Sequence, residues 1–422
     1  MRAQRRAMEA ETQSSALRPA WLVRSIAVWG PGLLVMLADT DAGNVVTAAQ
    51  AGAEWGYRLL PLVLLLIPML AMVQELTVRL GVSTGLGHGE LIRARFGPGV
   101  AWLAMLALAG AVIGSLITEF TGVAGVGELF GLSRAFTLPF AAAALLVIVA
   151  SGSYKRVERT ALIVGLFQLA FFIVAWAAHP GLKALARDAT DWPLRDRGFL
   201  FMAAGLIGAT FNPWMIVYQQ SATVEKRLEP GDLIHARWDT GIGAILTQCL
   251  TGAVLVAAAA AFAGGRGSAS LTTIGEISGA LTPALGEGLG RIVFGAGVLG
   301  ASLVAAIVAS LALAWGLGEV AGYGRSLEFR PFDAGWFYGA YAACVLGSGA
   351  AVWFAPDLVW LNIAAQVFNA FLMPLVIGLL VALAAAALPE PYRPRGWYLG
   401  AIVAVSTIVC AVGLFGAVRT LM

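Results

Sequence analysis

Eleven long apolar runs constrain the fold of this chain more than any other feature. Each run is close to the length of about 20 residues that a helix needs to cross the hydrocarbon core of a bilayer. None of them has the alternating apolar and polar pattern of a transmembrane β-strand. In chain order, spans 1 to 11 lie near residues 26–52, 59–81, 99–125, 135–151, 160–178, 198–221, 241–264, 288–317, 335–355, 359–388 and 397–418. These runs predict an all-α integral membrane protein.

The composition excludes most other classes of protein. The 422 residues are 59% apolar and only 12% charged, whereas a soluble domain carries about 25% charged residues. Such a chain is neither a soluble enzyme, a disordered protein nor a secreted disulfide module. We expect a polar tail over residues 1–25, a single transmembrane domain over residues 26–422, and the lipid bilayer as a partner. The net charge of +3 without a basic block argues against binding of nucleic acid.

The distribution of Lys and Arg predicts the orientation in the membrane. If the amino terminus is inside, 18 of the 27 Lys and Arg residues lie in the inner segments, which leaves nine outside. Inner loops carry the excess of basic residues, so we expect a cytoplasmic amino terminus and an external carboxyl terminus. The first 25 residues lack the apolar segment of a signal peptide. We therefore expect a cytoplasmic tail and not a signal peptide. The membrane in which we expect the protein is the plasma (inner) membrane.

Two of the spans carry polar residues in the middle of an apolar stretch. Span 1 contains Asp39, Asp41 and Asn44, and span 6 contains the pair Asn212-Pro213. A charged side chain at the centre of a bilayer costs about 2.5–3.5 kcal/mol, so it persists where it faces an ion, a partner or a cavity. The two spans therefore predict a cation site near the middle of the membrane.

The same two spans are not expected to be continuous helices. Gly43 has poor helix propensity and Pro213 donates no backbone hydrogen bond, so each segment can unwind and release carbonyl groups as ligands. Interrupted helices at equivalent places in two halves indicate an inverted repeat with the site between them. We predict one five-helix repeat over about 26–178, a second over about 198–388, and an eleventh helix over about 397–418.

Four short motifs resemble those of one transporter family. They are Asp41-Ala42-Gly43-Asn44 with the following Gln50-Ala51-Gly52-Ala53 and Gly56-Tyr57, then Arg79-Leu80-Gly81 with Thr84-Gly85, then Gly208-Ala209-Thr210-Phe211-Asn212-Pro213-Trp214, and finally Gln366 with Met373-Pro374. These stretches are similar to the signatures of the NRAMP (natural resistance-associated macrophage protein) divalent-metal transporters. The resemblance implies a LeuT-type fold and transport by alternating access. A divalent metal ion is then the cargo, and no resident cofactor is expected.

The resemblance also implies a set of metal ligands. The family's ligands fall on the Asp41 carboxylate, the Asn44 amide oxygen and the Ala209 backbone carbonyl. Gln366 falls on a position that approaches the ion in some conformations of the family. Where the family has a methionine sulfur, this chain has Asn212.

An amide in place of that thioether converts a mixed site into one made only of oxygen. Thioethers favour soft and late transition metals, whereas carboxylate, carbonyl and water ligands suit Mg²⁺, Ca²⁺ and Mn²⁺. Mg²⁺ prefers six oxygen ligands and releases its water reluctantly. The chain in this respect resembles the NRAMP-related magnesium transporters, and we expect Mg²⁺ first and Mn²⁺ second, carried by a monomer.

A second departure concerns proton coupling. Trp214 and Gln219 occupy positions where the family has histidines, and neither side chain titrates. We therefore expect uncoupled import, because a divalent ion gains about 4.6 kcal/mol from an inside-negative potential of about 100 mV. Glu119 is either a substitute acid or a hydrogen-bonded structural residue. Asp39 either assists the hydration shell of the ion or caps the helix break.

Other functions remain as alternatives. A proton-coupled importer of Mn²⁺ and Fe²⁺ that tolerates Asn212 is the main one. A Mg²⁺ channel is disfavoured by the two broken spans, because channels usually build a symmetric pore from several subunits. An intramembrane enzyme has little support, since the sequence contains neither a His/Glu metalloprotease motif nor a nucleotide-binding glycine loop.

Overall fold

The regular structure of the chain is helical. The computed structural model describes residue 24 and residues 27–262, 271, 273–355 and 358–421. The predicted tail over residues 1–25 lies outside the described residues apart from Arg24, so that prediction stays untested.

Sixteen α-helices follow one another through the described ranges. The first half of the chain contains α1 (Pro31–Asp39), α2 (Ala42–Trp55), α3 (Leu60–Thr84), α4 (His88–Leu129), α5 (Arg134–Val149), α6 (Tyr154–Gly165), α7 (Ala170–Ala177) and α8 (Leu182–Asp188). The second half contains α9 (Arg197–Thr210), α10 (Pro213–Glu225), α11 (Leu233–Phe262), α12 (Ile274–Leu281), α13 (Glu287–Ala321), α14 (Gly335–Phe354), α15 (Leu358–Ala387) and α16 (Gly396–Leu421).

The lengths of these helices confirm the prediction of a multi-pass membrane protein. Within the described ranges, seven helices or helix pairs are long and apolar enough to cross a membrane. Three shorter apolar helices correspond to spans 4, 10 and 11, and span 1 consists of α1 and α2. The short helices α8 and α12, which lie in predicted loops, were not expected from the sequence.

Span 3 begins close to the predicted residue 99. A first helical segment starts at His88 and ends at Gly97, whose backbone (φ 87°, ψ 170°) is not helical and whose positive φ glycine adopts readily. The helix resumes at Pro98 and runs to Leu129. The Gly-Pro pair therefore marks the helix boundary that its composition indicates, and α4 consists of two segments.

Spans 1 and 6 are broken where the sequence predicts. Helix α1 ends at Asp39 and α2 begins at Ala42, while α9 ends at Thr210 and α10 begins at Pro213. The Asp41 side chain caps α2 by accepting the backbone N–H of Asn44 at 2.7 Å. Pro213 occupies the first turn of α10, where its missing N–H leaves no helical hydrogen bond unmade.

The broken spans lie in the interior of the bundle. Helix α11 packs along α1, α2 and α3, and α4 packs against α13 and α15. At Gly52 the backbones of α2 and α11 come so close that a Cβ atom would contact the carbonyl of Leu255. Such close approach at small residues is how transmembrane helices pack without a hydrophobic driving force.

Candidate ion-binding site

The predicted ligands of span 1 surround the gap between α1 and α2. Asp41 lies in the gap, is only 4% exposed, and uses one carboxylate oxygen as the cap of α2. Asn44 lies in the first turn of α2, and its amide nitrogen donates to the carbonyl of Asp39 at 3.1 Å. The side-chain oxygen of Asn44 is buried and has no hydrogen-bond partner. That oxygen therefore remains able to bind a cation.

The predicted ligands of span 6 lie at its break. The Asn212 amide nitrogen donates to the Ala209 carbonyl at 3.3 Å, and both residues are buried. This bond turns the amide oxygen away from that carbonyl and satisfies a backbone group that the break has freed. An ion bound at Ala209 shares or displaces this hydrogen bond. The side chain of Gln366, on α15, lies outside the described residues.

Asp39 links the two breaks. It is the last residue of α1 and is fully buried. The carboxylate of Asp41 and the side chains of Asn212 and Thr247 act on its carboxylate, yet neither oxygen of Asp39 has a hydrogen-bond partner. Thr247, on α11, holds the neighbouring Thr40 at 2.6 Å between hydroxyl oxygens. The residues predicted from spans 1 and 6 thus approach one another in the fold.

Glu119 approaches the same region from α4. One of its carboxylate oxygens accepts the backbone N–H of Ala42, the first residue of α2, at 3.3 Å. Its other oxygen is buried without a partner, with the hydroxyl of Ser302 and the carboxylate of Asp41 nearby. Glu119 is therefore hydrogen-bonded to the end of a helix and is also adjacent to a predicted ligand. Both expectations for this residue stay open.

Trp214 and Gln219 form structural contacts on α10. The indole N–H of Trp214 donates to the hydroxyl of Ser115 at 2.9 Å. The amide of Gln219 donates to Thr240 at 2.6 Å and accepts from Thr77 at 3.3 Å, which ties span 6 to spans 7 and 2. Both side chains are fully buried. Neither of these two side chains can accept or release a proton at physiological pH.

The chemistry of the site is that of oxygen ligands. Across the described part of the chain, no three His, Cys, Asp or Glu side chains converge as a metal cluster would require. The available atoms are the Asp41 carboxylate, the Asn44 amide oxygen and the Ala209 carbonyl, with Asn212 beside them. This donor set fits a hard divalent cation that keeps part of its water shell.

A carboxylate on α11 binds the first residues of α1. We call the face of the protein at which α1 begins the amino-terminal face. Asp239, on α11, accepts the backbone N–H groups of Gly30, Gly32 and Leu33 at 3.1, 2.7 and 3.1 Å. The N–H groups at the start of a helix have no partner within the helix. A negative charge placed beside them stabilises the helix. The half-helix α1 is thus anchored to α11.

A lysine joins three helices at this amino-terminal face. Lys226, at the end of α10, donates to both carboxylate oxygens of Glu158 on α6, at 2.9 and 3.1 Å. It also donates to the carbonyl of Trp29, just before α1, at 2.6 Å. Every residue of α10 from Pro213 to Thr223 is buried. The contacts of Lys226 thus tie the end of this buried helix to α6 and to the start of α1.

A narrow crevice lies on the other side of α10. Its cavity volume for water-sized molecules is only about 20 Å³. Its lining includes Pro213 and Val217 of α10, His88 at the start of α4, and Val376 of α15. Pro213 directly follows Asn212, so the crevice starts next to the break in span 6.

Several of these residues were missed by the sequence reasoning. Thr247, Asp239 and the pair Lys226–Glu158 are polar residues within or at the ends of apolar spans, which was the available signal. Their partners lie 68 to 209 positions away along the chain. Only the fold reveals what each of them holds.

Comparison with known proteins identifies close relatives in sequence. The family profile described as natural resistance-associated macrophage protein-like matches residues 32–418. A divalent metal cation transporter MntH of Bradyrhizobium diazoefficiens is 30% identical over 319 residues, covering 72% of this chain and 70% of the relative. A divalent metal cation transporter MntH of Yersinia pestis is 31% identical over 297 residues, covering 68% and 71%.

Solved structures share the fold at low sequence identity. A manganese transporter of Eremococcus coleocola superposes with a TM-score of 0.78 at 16% identity, covering 95% of this chain and 87% of that one. A Na⁺-coupled sialic acid symporter superposes with a TM-score of 0.62 at 12% identity, covering 93% and 89%. These likenesses confirm the LeuT-type fold that the sequence motifs implied.

Proposed function

Since the chain belongs to the natural resistance-associated macrophage protein (NRAMP) family of divalent-metal transporters, we propose that it imports Mg²⁺, and secondarily Mn²⁺, by alternating access. The observation that carries this proposal is the oxygen-only donor set at the two helix breaks. Asn212 stands at the second break with a side chain that offers an amide oxygen and no sulfur. Asp41, Asn44 and the Ala209 carbonyl complete the proposed ligands, and Gln366 joins them in part of the cycle.

The proposed driving force is the membrane potential together with the ion gradient. Two charges crossing a potential of about 100 mV release about 4.6 kcal/mol, which sustains a gradient of about three decades at 1.4 kcal/mol per decade. Proton coupling is therefore not needed for uptake. The hydrogen-bonded, fully buried Trp214 and Gln219 support this proposal, since neither exchanges a proton with the site.

The proposed arrangement in the membrane follows from the sequence. The amino terminus is cytoplasmic, the carboxyl terminus is external, the protein resides in the plasma (inner) membrane, and one monomer carries the ion. The two broken spans are five spans apart, which supports inverted repeats over about 26–178 and 198–388 followed by the helix near 397–418.

Uptake into proteoliposomes tests the proposal. The vesicles contain a Mg²⁺ dye in one set and a pH dye in a parallel set, under an imposed inside-negative potential. We expect saturable Mg²⁺ entry with a flat pH trace. Asp41→Asn, which retains the shape of the side chain and removes its charge, serves as the control and abolishes entry. Absence of Mg²⁺ entry in wild-type vesicles, or acidification matching the cation uptake, contradicts the proposal.

Proton-coupled import of Mn²⁺ is the second candidate, and two observations favour it. Similar proteins are named divalent metal cation transporters MntH, and a structural neighbour is a manganese transporter. In addition, Glu119 lies beside Asp41 with one free carboxylate oxygen, where it is placed to carry a proton. This candidate predicts Mn²⁺ entry with acidification, and no competition by excess Mg²⁺.

A further inference from the structure

Asp39 has a buried carboxyl group to which the fold gives no partner. The residue is 0% exposed, and both of its carboxylate oxygens lack a hydrogen-bond partner. Among the ion pairs that the described residues form, none includes Asp39 or Asp41. Burial of an unpaired carboxylate is strongly unfavourable, so such a group persists where a ligand compensates it.

The Asp39 carboxylate makes no capping hydrogen bond. The cap of α2 is Asp41, whose carboxylate accepts the N–H of Asn44. The contribution of Asp39 to the break comes from its backbone, whose carbonyl accepts the amide of Asn44. The carboxylate of Asp39 has no part in either bond and is therefore available to a ligand.

The surroundings of Asp39 are those of a hydrated cation site. The side chains of Asn212 and Thr247 lie next to its carboxylate and the Asp41 carboxylate is near it, but none of them makes a well-aligned hydrogen bond to either oxygen of Asp39. Polar groups that are close without a direct hydrogen bond are commonly joined by water. The side-chain oxygen of Asn44 lies in the same region and is a second buried atom without a hydrogen-bond partner.

We propose that Asp39 is a second carboxylate of the cation site, which holds the ion through water molecules that the ion retains. The proposal rests on divalent-cation transport as the function. Two carboxylates and one divalent ion form a neutral group, whereas a monovalent ion leaves a buried negative charge uncompensated. Because Mg²⁺ releases its water reluctantly, a carboxylate that accepts hydrogen bonds from that water favours Mg²⁺ over ions that dehydrate more readily.

Calorimetric titration of the full-length protein with MgCl₂ and with MnCl₂ tests this role. Asp39→Asn keeps the size of the side chain and removes its charge. Mutation of a residue that contacts the ligands of a metal, and not the metal itself, typically weakens metal affinity about 10–100-fold. We expect Asp39→Asn to cause a loss of that size for Mg²⁺ and a smaller loss for Mn²⁺. Asp191→Asn is the control, because it removes a carboxylate from an exposed pair with Arg58; its affinities stay unchanged.

The melting temperature without ion separates this role from a structural one. Since Asp39 makes no hydrogen bond through its carboxylate, Asp39→Asn leaves the melting temperature of the ion-free protein unchanged or raises it. An unchanged Mg²⁺ affinity overturns the proposal, and so does an equal loss for both ions together with a lower melting temperature. Wild-type protein that binds Mn²⁺ but not Mg²⁺ contradicts the proposed selectivity, whereas normal Mg²⁺ binding by Asp39→Asn contradicts only the role of Asp39.

Discussion

Lys226 is predicted to hold the amino-terminal face closed. Its ammonium group donates to Glu158 on α6 and to the carbonyl of Trp29 before α1. The side chains of Lys226 and Glu158 are only 14% and 10% exposed. Removal of one partner from a buried ion pair costs about 3–5 kcal/mol. Lys226→Met keeps the aliphatic stem and removes the charge, which leaves Glu158 with the hydroxyl of Tyr154 as its remaining side-chain partner in the closed state.

The expected size of the effect follows from these contacts. The closed state loses all three hydrogen bonds of the ammonium group. Taking the lower end of that range, about 3 kcal/mol at 1.4 kcal/mol per decade shifts the equilibrium about 100-fold towards opening at the amino-terminal face. In the proposed orientation and mechanism, this opening connects the ion site to the cytoplasm.

Labelling of a single cysteine measures that opening. Val217 lies on α10, whose end Lys226 ties to α6 and to the start of α1, and it is buried, so Val217→Cys becomes accessible only when α10 moves away from its neighbours. The reporter is placed in a background where Cys249, Cys344 and Cys410 are replaced by alanine. We expect Lys226→Met to increase the rate of labelling by a membrane-impermeant maleimide about 100-fold, in line with the equilibrium shift.

A second ion pair at the same face provides the control. Arg395 and Glu390 are 3.2 Å apart and 68% and 79% exposed. Exposed pairs contribute about 0–1 kcal/mol, so Arg395→Met leaves the labelling rate nearly unchanged. An unchanged rate in Lys226→Met, or an equal increase in Arg395→Met, refutes the reasoning that the Lys226 contacts keep this face closed.

Two further predictions concern other carboxylates. Glu119→Gln retains an oxygen that accepts the N–H of Ala42, and only a neutral hydrogen bond replaces a charged one. We therefore expect potential-driven Mg²⁺ uptake within about threefold of wild type. Loss of uptake in the proteoliposome assay indicates that Glu119 is an essential acid. Asp239→Asn weakens the three hydrogen bonds at the start of α1. We expect it to lower the free energy of unfolding by about 1–2 kcal/mol. A melting temperature equal to that of wild type contradicts this expected destabilisation.

The helix breaks could be predicted because their causes are local. Asp41 caps α2 and Pro213 begins α10, so each acts on the backbone within one turn of its own position. Gly43 was expected to unwind span 1, but it lies inside α2 as its second residue. The chemistry of the predicted ligands is local too, since Asn44 and Asn212 offer amide oxygens in any fold. The fold class followed from the number and length of the apolar runs.

The rest could not be predicted because its causes are distant in sequence. Asp239 caps a helix more than 200 positions before it, and Thr247 approaches Asp39 only because α11 packs along α1. No periodicity marks either residue. The helical segment that starts at His88 and precedes the kink at Gly97-Pro98 was missed for a different reason, since it is short and too polar to form an apolar run.

If oxygen ligands at the two breaks select the transported ion, Asn212→Met alters that selection at one of the proposed ligands. The substitution introduces a thioether in place of the amide, and thioethers favour later transition metals over Mg²⁺. The measurement is the ratio of Mn²⁺ to Mg²⁺ affinity in competitive uptake, for wild type and variant. We predict that the ratio rises about tenfold in Asn212→Met, a change equivalent to about 1.4 kcal/mol. An unchanged ratio shows that this position does not set the selectivity and contradicts the account.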